Sequence, residues 1–161
     1  MSVNLRAGGR LAEIASRVPF GARVLDVGCD HGFVPIHLAS SGAVGAVFAS
    51  DIRPGPLDSA RRNAEERGVA DKIRFFLADG VPPEVAGLID TVIISGMGGE
   101  TIAGILERAP ETLGTGVFFI LQPQTKREAL LSYLTNNAFT DIRLIDVFEG
   151  RRKYIIITTR R

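Results

Sequence analysis

The hydrophobic positions of the chain form short apolar runs that alternate with segments of helical periodicity. Runs that are this short and contain β-branched residues are typical of parallel strands buried on both faces. Five such runs predict strands at residues 22–28, 46–51, 73–78, 90–95 and 117–121. The intervening segments predict helices at 33–41, from Pro54 and Pro56 to just before Gly68, after Gly99 to about 108, and after Gln124 through Leu134.

The last part of the chain departs from this alternation. Residues 142–148 and 154–159 are two further strand-like runs, and only residues 149–153 separate them. Because a crossover helix does not fit into so short a gap, the two runs predict an antiparallel hairpin. The predicted fold class is therefore α/β, a Rossmann-like doubly wound sheet of seven strands, mostly parallel with one antiparallel strand. We expect a single domain spanning residues 1–161.

The beginning of the chain predicts one more helix. Residues 4–18 carry apolar side chains at helical spacing, although Gly8 and Gly9 weaken the start. We expect this helix to cover the sheet. Its arginines, among them Arg6 and Arg10, could instead form a basic rim near a substrate opening.

Composition and charge exclude several classes of protein. With 161 residues, 45% of them hydrophobic and 23% charged, the chain can bury a core without disulfides or metals. A single cysteine, Cys29, and two histidines exclude a disulfide framework and disfavour zinc, so we expect no metal. The lack of a disulfide framework suits a reducing compartment, so we expect a cytoplasmic protein. No apolar run is long enough to span a membrane. The net charge of +1 means that any contact with RNA comes from a local patch.

Residues 24–32, with the sequence VLDVGCDHG, carry the first candidate chemistry. They predict a strand, a glycine-bearing turn and the start of a helix, an arrangement whose backbone N–H groups face a ligand. A dinucleotide motif counted from Gly28 would need glycine at two positions where Asp30 and Phe33 stand. Because a carboxylate there would repel a pyrophosphate, NAD is disfavoured, and no Walker phosphate loop is present.

Acidic residues follow or end the first three predicted strands. Asp26 and Asp30 flank the first turn, Asp51 ends the second strand, and Asp79 follows the third. An acid after a strand is more often a helix N-cap. Acids at the ends of three successive strands, together with the glycine turn, instead favour a site for S-adenosylmethionine, a cofactor with an adenosine and no phosphates. Asp51 would accept the ribose hydroxyls, Asp79 the adenine amino group, and Asp26 and Asp30 would suit the methionine ammonium.

Four motifs together resemble the bacterial tRNA adenine-N1 methyltransferases of the TrmK type, which are class I S-adenosylmethionine-dependent enzymes. They are DVGCDHG at 26–32, ADG at 78–80, SGMGG at 95–99 and LQP at 121–123. The resemblance covers nearly the whole chain. It implies an enzyme of tRNA modification that methylates N1 of an adenine in tRNA with S-adenosylmethionine as cofactor.

This sequence departs from the TrmK-type pattern in two places. Gln124 stands where family members usually carry Asn, and the chain ends at Arg161, directly after the last predicted strand. Family members also have a C-terminal helical domain that is thought to help hold the RNA. The resemblance then leaves two alternatives, a truncated form of such an enzyme or a compact relative with another acceptor, and it leaves tRNA docking open.

The motifs and the resemblance give a set of candidate site residues. The expected cofactor-binding residues are Asp26, Gly28, Cys29, Asp30, Gly32, Asp51, Ile52, Ala78, Asp79, Gly80, Ser95 and Gly96. The expected catalytic residues are Asp30, His31, Gly96 and Met97. The expected substrate-binding residues are His31, Met97, Gly98, Gln122 and Pro123. Cys29 is expected to line the turn rather than to act as a nucleophile.

The chemistry of methyl transfer to adenine N1 explains why no strong base is among them. N1 carries a lone pair in the neutral base, and its attack leaves a positive charge on the ring. Asp30 or the backbone carbonyls at 95–98 would stabilise that charge, and His31 would pack against the base or bond to it. The alternatives are that His31 only bonds the local backbone and that 95–99 is simply a flexible turn.

Two other functions stay open from the sequence. The acceptor could be a small molecule or a protein, or the chain could bind S-adenosylmethionine without catalysis. The oligomeric state is also left open. Candidates for phosphate contacts, which are equally compatible with ordinary solvated surface, are Arg6, Arg10, Arg151, Arg152 and Lys153.

Overall fold

The structure is a computed structural model that describes residues 5–161. Its strands are β1 (Arg23–Val27), β2 (Ala46–Asp51), β3 (Ile73–Leu77), β4 (Thr91–Gly98), β5 (Phe118–Thr125), β6 (Thr140–Glu149) and β7 (Arg152–Arg160). They form one seven-stranded sheet in the order β3-β2-β1-β4-β5-β7-β6. Strand β7 pairs antiparallel with both β5 and β6, and the other pairs are parallel. The predicted fold class and the terminal hairpin are confirmed.

Within residues 5–161, six α-helices cover the two faces of the sheet. They are α1 (Arg10–Ser16), α2 (Phe33–Ser41), α3 (Pro54–Glu66), α4 (Pro83–Ala86), α5 (Gly99–Glu107) and α6 (Arg127–Asn136), with 3-10 turns at Ala70–Lys72 and Glu111–Leu113. Helices α1 to α3 contribute to one core and α4 to α6 to the other. None of these helices is long and apolar enough to cross a membrane, which holds for residues 5–161.

The apolar runs of the central strands are continuous because both faces of the sheet are buried. In β4, Ile93 belongs to the core under α1 to α3, whereas Val92 and Ile94 belong to the core under α4 to α6. The side chains of all three are fully buried. Successive strand residues point to opposite faces, so a strand between two helical layers needs apolar side chains at every position.

Hydrogen bonds tie the turns at the carboxyl edge of the sheet to one another. The N–H groups of Gly28 and Cys29 both donate to the carbonyl of Ser50 at the end of β2, at 2.8 and 2.9 Å. The hydroxyl of Ser50 donates to the carbonyl of Gly80, after β3, at 2.9 Å. The three turns that carry the candidate acids are therefore held as one unit.

The predicted N-terminal helix was too long. Helix α1 begins at Arg10 and ends at Ser16, rather than covering 4–18, of which residue 4 lies outside the described residues. Gly8 has a φ of +74°, which interrupts a right-handed helix. The carboxylate of Glu149 then accepts the N–H of Arg10 at 2.7 Å and satisfies one of the free donors at the helix start.

Strands β4 and β5 extend further than predicted. Residues 96–98 and 122–124 were expected in turns and Thr125 in the following helix, but Met97 pairs with Pro123 and Gly98 pairs with Thr125. The register shifts on either side of Met97, so this extension is irregular. Each strand continues because the other supplies a pairing partner. The Pro-rich connection after β3 also holds the short helix α4, which was not predicted.

Candidate functional site

The carboxyl ends of β1 to β4 open into a cleft of about 570 Å³. Most of the predicted site residues line it, namely Asp26, Gly28, Cys29, Asp30, His31, Asp51, Ile52, Ala78, Asp79, Gly80, Ser95, Gly96 and Met97. Their common position follows from the parallel register, because carboxyl ends of adjacent parallel strands meet at one edge. The structure thus brings together residues that lie up to 71 positions apart, from Asp26 to Met97.

Asp51 is the most firmly held of the candidate acids. Its side chain is buried, and its two oxygens accept different backbone N–H groups. Asp30 N–H donates to Oδ2 at 3.2 Å, and Arg53 N–H donates to Oδ1 at 2.9 Å. A carboxylate oxygen has room for more than one donor. The fixed Asp51 carboxylate can therefore accept two neighbouring hydroxyl groups, as a ribose presents.

Asp26 is a buried acid with an unusual protonation state. Burial raises its pKa from 3.8 to about 8, and the nearby Asp51 carboxylate adds to the increase. The carboxyl group of Asp26 is therefore mostly neutral at pH 7 in the free protein. A cationic group in the cleft would lower this pKa again, because an opposite charge favours the ionised form. Asp26 is suited to receive an ammonium group.

Replacing Asp26 by Asn is expected to change how stability depends on pH. The pKa of Asp26 is higher in the folded than in the unfolded state, so the folded protein holds the extra proton. The free energy of unfolding then falls as pH rises from about 4 to about 8. Asn has no such proton to lose. We expect the free energy of unfolding of Asp26→Asn, measured in urea and relative to that of the unsubstituted protein, to be higher at about pH 8 than at about pH 5. A relative free energy that does not change between these pH values would contradict the raised pKa of Asp26.

Asp79 faces the cleft together with an arginine that sequence reasoning did not select. Arg108, at the end of α5, donates to Asp79 Oδ1 at 3.2 Å, and both side chains are about half exposed. Ile105 of α5 lies against Gly80, and the side chain of Ile52 is 61% exposed. A carboxylate next to apolar side chains suits a flat base with an amino group.

The turn after β1 packs against the end of β4. The Met97 methyl group lies where a side chain on Gly28 would begin, and Gly28 has a φ of +71°. Asp30 and His31 stand at the mouth of the cleft, with 61% and 54% of their side chains exposed. The His31 ring lies 5.8 Å from the Phe33 ring, measured between centroids. This mouth is open enough to admit a second ligand beside Met97.

Four predicted site residues do not line the cleft. Gln122 is fully buried, and its Oε1 accepts Arg10 Nη1 at 2.7 Å and Gly96 N–H at 3.1 Å. Its Nε2 donates to the carbonyl of Pro123. The structure thus corrects the expectation that Gln122 and Pro123 meet the base edge, because the amide of Gln122 is already used behind β4.

The two glycines among those four are held by packing and pairing. Gly32 lies so close to Ala60 of α3 that a Cβ on this glycine would stand only 2.9 Å from the Ala60 Cβ. Gly98 pairs with Thr125 in the extension of β4 and β5. The structure places both beside the cleft rather than in its lining.

Ten lining residues were not among the predicted site residues. They are Arg10, Leu11, Val27, Phe33, Val34, Arg53, Thr101, Ile105, Arg108 and Gln124, of which Arg10 was considered for phosphate contacts and a basic rim. Val27, Phe33, Val34 and Arg53 lie within two positions of predicted site residues, and Gln124 is the position that departs from the family pattern. Leu11, Thr101, Ile105 and Arg108 carried no signal, because only the packing of α1 and α5 brings them to the cleft.

Cys29 has the properties of a structural residue. It is buried, and burial together with the carboxylates of Asp26 and Asp51 raises the pKa of its thiol. A thiol held in the protonated form is a weak nucleophile. Within the described part of the chain, no group of three or more His, Cys, Asp or Glu side chains is placed to hold a metal ion.

Comparisons with known proteins agree with this geometry. A family model described as a methyltransferase domain matches residues 7–157. The crystal structure of the Bacillus subtilis m1A22 tRNA methyltransferase TrmK superposes with a TM-score of 0.88 at 30% identity, and the match covers 98% of this chain and 67% of that one. The chain belongs to the TrmK-type methyltransferase family.

Two further TrmK-type matches add detail. Streptococcus pneumoniae Sp1610, a putative tRNA (m1A22) methyltransferase solved in complex with S-adenosyl-L-methionine, is 34% identical with a TM-score of 0.84 over 94% of this chain and 71% of that one. The Bacillus subtilis tRNA (adenine(22)-N(1))-methyltransferase sequence is 29% identical over 153 residues, which cover 95% of this chain. The chain spans 64% of the length of that relative.

Proposed function

We propose that this chain binds S-adenosylmethionine in the cleft and transfers its methyl group to N1 of an adenine in tRNA. The observation that carries the proposal is the convergence of Asp26, Asp51 and Asp79 from three adjacent strands on one cleft. Pyrophosphate is disfavoured there, because Asp30 stands in the turn where a dinucleotide site needs glycine. The TrmK-type relatives support the same choice of cofactor and acceptor.

The residues present fit three of the polar groups of S-adenosylmethionine. Asp51 would accept the ribose hydroxyls, Asp79 the adenine amino group, and Asp26 would receive the ammonium group of the methionine part. Ile52 and Ile105 would contact the adenine ring. The cofactor supplies a methyl group that is already activated by a positively charged sulfur, so the protein's task is alignment and charge stabilisation.

The mouth of the cleft fits an acceptor that becomes positively charged. Adenine N1 needs no deprotonation, and positive charge develops on its ring during transfer. The backbone N–H of Asp30 bonds to Asp51, and Asp30 has a φ of +50°, so its position is fixed while its carboxylate stays exposed. That carboxylate would stabilise the charged ring, and Met97 and His31 would contact its faces.

Contacts to the phosphates of tRNA would come from basic residues near this mouth and on the terminal hairpin. Arg151 and Arg152 are exposed in and after the turn between β6 and β7, and Arg6 is exposed before α1. Lys153 is partly neutralised, since its Nζ lies 2.8 Å from the Asp146 carboxylate. Arg151 and Arg152 are therefore the better candidates.

The experiment that tests the proposal follows label from S-adenosylmethionine into RNA. An unmodified tRNA transcript with adenosine at position 22 is incubated with the protein and labelled cofactor, and the nucleosides are then separated. We expect label in N1-methyladenosine and none with a transcript carrying guanosine at that position. Binding of S-adenosylhomocysteine without label in RNA would overturn the acceptor assignment alone. The absence of both would overturn the whole proposal.

A further inference from the structure

Arg10 is a cleft residue whose side chain is fixed from two sides. Its Nη1 donates to the Gln122 amide oxygen at 2.7 Å, and its guanidinium carbon lies 5.5 Å from the centroid of the Tyr154 ring. Gln122 is fully buried and also accepts the N–H of Gly96. Strands β5 and β7 therefore hold the guanidinium beside the end of β4, where Gly96 lines the cleft.

The backbone of Arg10 is fixed as well. Its N–H donates to the Glu149 carboxylate, which joins the first turn of α1 to the end of β6. A side chain that is already ordered loses little conformational freedom when it binds a ligand. The side chain of Arg10 is thus preorganised to bind a ligand.

The charge of Arg10 is not neutralised by an ion pair. Within residues 5–161, no carboxylate lies within 4.0 Å of its guanidinium, whereas Arg17, Arg53 and Arg108 each have one. A guanidinium remains charged at any physiological pH and offers five N–H donors, of which the bond to Gln122 uses one. The cleft therefore contains a fixed positive group that suits an anionic oxygen ligand.

The position of Arg10 indicates which anion it meets. Gly96 lies two residues after the part of β4 that pairs with β1, in which Ile93 stands opposite Asp26. The neighbouring Met97 touches Gly28 in the first turn. Arg10 therefore lies at the Asp26 end of the cleft rather than at the Asp79 end. In the proposed function this end receives the methionine part, which carries a carboxylate next to its ammonium group.

We propose that Arg10 binds the carboxylate of the methionine part of the cofactor and that Gln122 positions it for this contact. The inference rests on the proposed function, which assigns partners to the ammonium, ribose and adenine but none to the carboxylate. With an ammonium group bound, which favours the ionised form of Asp26, Asp26 and Arg10 together would form a site of opposite charges for a zwitterionic amino-acid group. The same guanidinium chemistry would also suit a phosphate of the acceptor nucleotide, so the test separates the two anions.

The test compares three ligands by calorimetry, without RNA and without turnover. They are S-adenosylhomocysteine, its analogue S-adenosyl-3-thiopropylamine, which lacks only the carboxylate, and 5′-methylthioadenosine, which lacks both charged groups. For the unsubstituted protein, loss of the carboxylate is expected to weaken binding about ten- to a hundredfold, as for other charge-assisted hydrogen bonds. Arg10→Gln should bind the first two ligands with nearly equal affinity, and Arg10→Lys should restore part of the difference.

Two controls separate a direct contact from a structural role. Arg17→Gln removes the same charge directly after α1 and outside the cleft, and it should leave all three affinities unchanged. Binding of 5′-methylthioadenosine to Arg10→Gln should equal that of the unsubstituted protein, which shows an intact nucleoside site. Equal weakening of all three ligands by Arg10→Gln would overturn the proposal.

The remaining outcomes identify the other anion or the failure of the underlying function. Unchanged affinity of Arg10→Gln for S-adenosylhomocysteine, with a raised KM for tRNA, would overturn the carboxylate contact in favour of a phosphate. If the unsubstituted protein bound no S-adenosylhomocysteine, the proposed function itself would fail, and with it this inference.

Discussion

Replacing Asp51 by Asn is expected to weaken S-adenosylhomocysteine binding by at least about a hundredfold. Asp51 accepts the N–H groups of Asp30 and Arg53 on different oxygens, so an amide NH2 would face one of these donors. The substitution thus displaces a turn that borders the cleft and removes an acceptor for a ribose hydroxyl. Hydrogen bonds to charged groups are worth about 1.5–3 kcal/mol each, and about 1.4 kcal/mol is a tenfold change in affinity.

The matched control for Asp51→Asn is Asp58→Asn. Asp58 is exposed on α3 and does not line the cleft, so removal of its charge should leave the affinity unchanged. Calorimetric titration measures the affinity, and thermal unfolding without ligand shows how much of the loss comes from the fold. An Asp51→Asn protein that still binds within about threefold of the unsubstituted protein would refute the role assigned to this carboxylate.

Replacing Gly28 by Ala is expected to reduce both stability and cofactor binding. Gly28 has a φ of +71°, a conformation that costs other residues about 1–2 kcal/mol. The new Cβ would also overlap the Met97 methyl group, and overpacking of this kind costs about 1–3 kcal/mol. We expect a loss of about 2–4 kcal/mol in the free energy of unfolding, measured by urea unfolding.

Two variants separate the causes of this loss. In a Met97→Ala background the overlap is absent but the backbone strain remains, so Gly28→Ala should cost less stability there than in the unsubstituted protein. Gly87→Ala, directly after α4, introduces a Cβ at an exposed position with a φ of −78°, 3.7 Å from the Thr112 carbonyl oxygen, and it should be close to neutral. If Gly28→Ala were as stable as Gly87→Ala, the close packing of β4 on the first turn would be refuted.

The fold and the acidic side of the cleft were predictable because their signals are local. Buried parallel strands need apolar side chains at every position, and this requirement sets them apart from the amphipathic helices between them. Once the strands are placed, their parallel order brings residues after each strand to one edge. Asp26, Asp51 and Asp79 could therefore be assigned to a common cleft without knowledge of any side-chain contact.

The basic side of the cleft could not be predicted in the same way. Arg10 meets Gln122 and Glu149 across 112 and 139 positions of the chain, and no short pattern encodes contacts of this range. The extensions of β4 and β5 were missed for a related reason. Glycine and proline are poor strand formers, but pairing between Met97 and Pro123 overrides that local preference.

The bond between Arg10 and Glu149 has a consequence for the order in which the site is assembled during synthesis. The three acid-bearing turns lie within the first half of the chain and can come together before the rest has left the ribosome. Helix α1 precedes the other helices of residues 5–161 in the chain, yet the carboxylate that accepts its first N–H comes from the end of β6. This helix is thus made before α2 to α6 but is among the last to be fixed, and the guanidinium enters its final position only after the hairpin has formed.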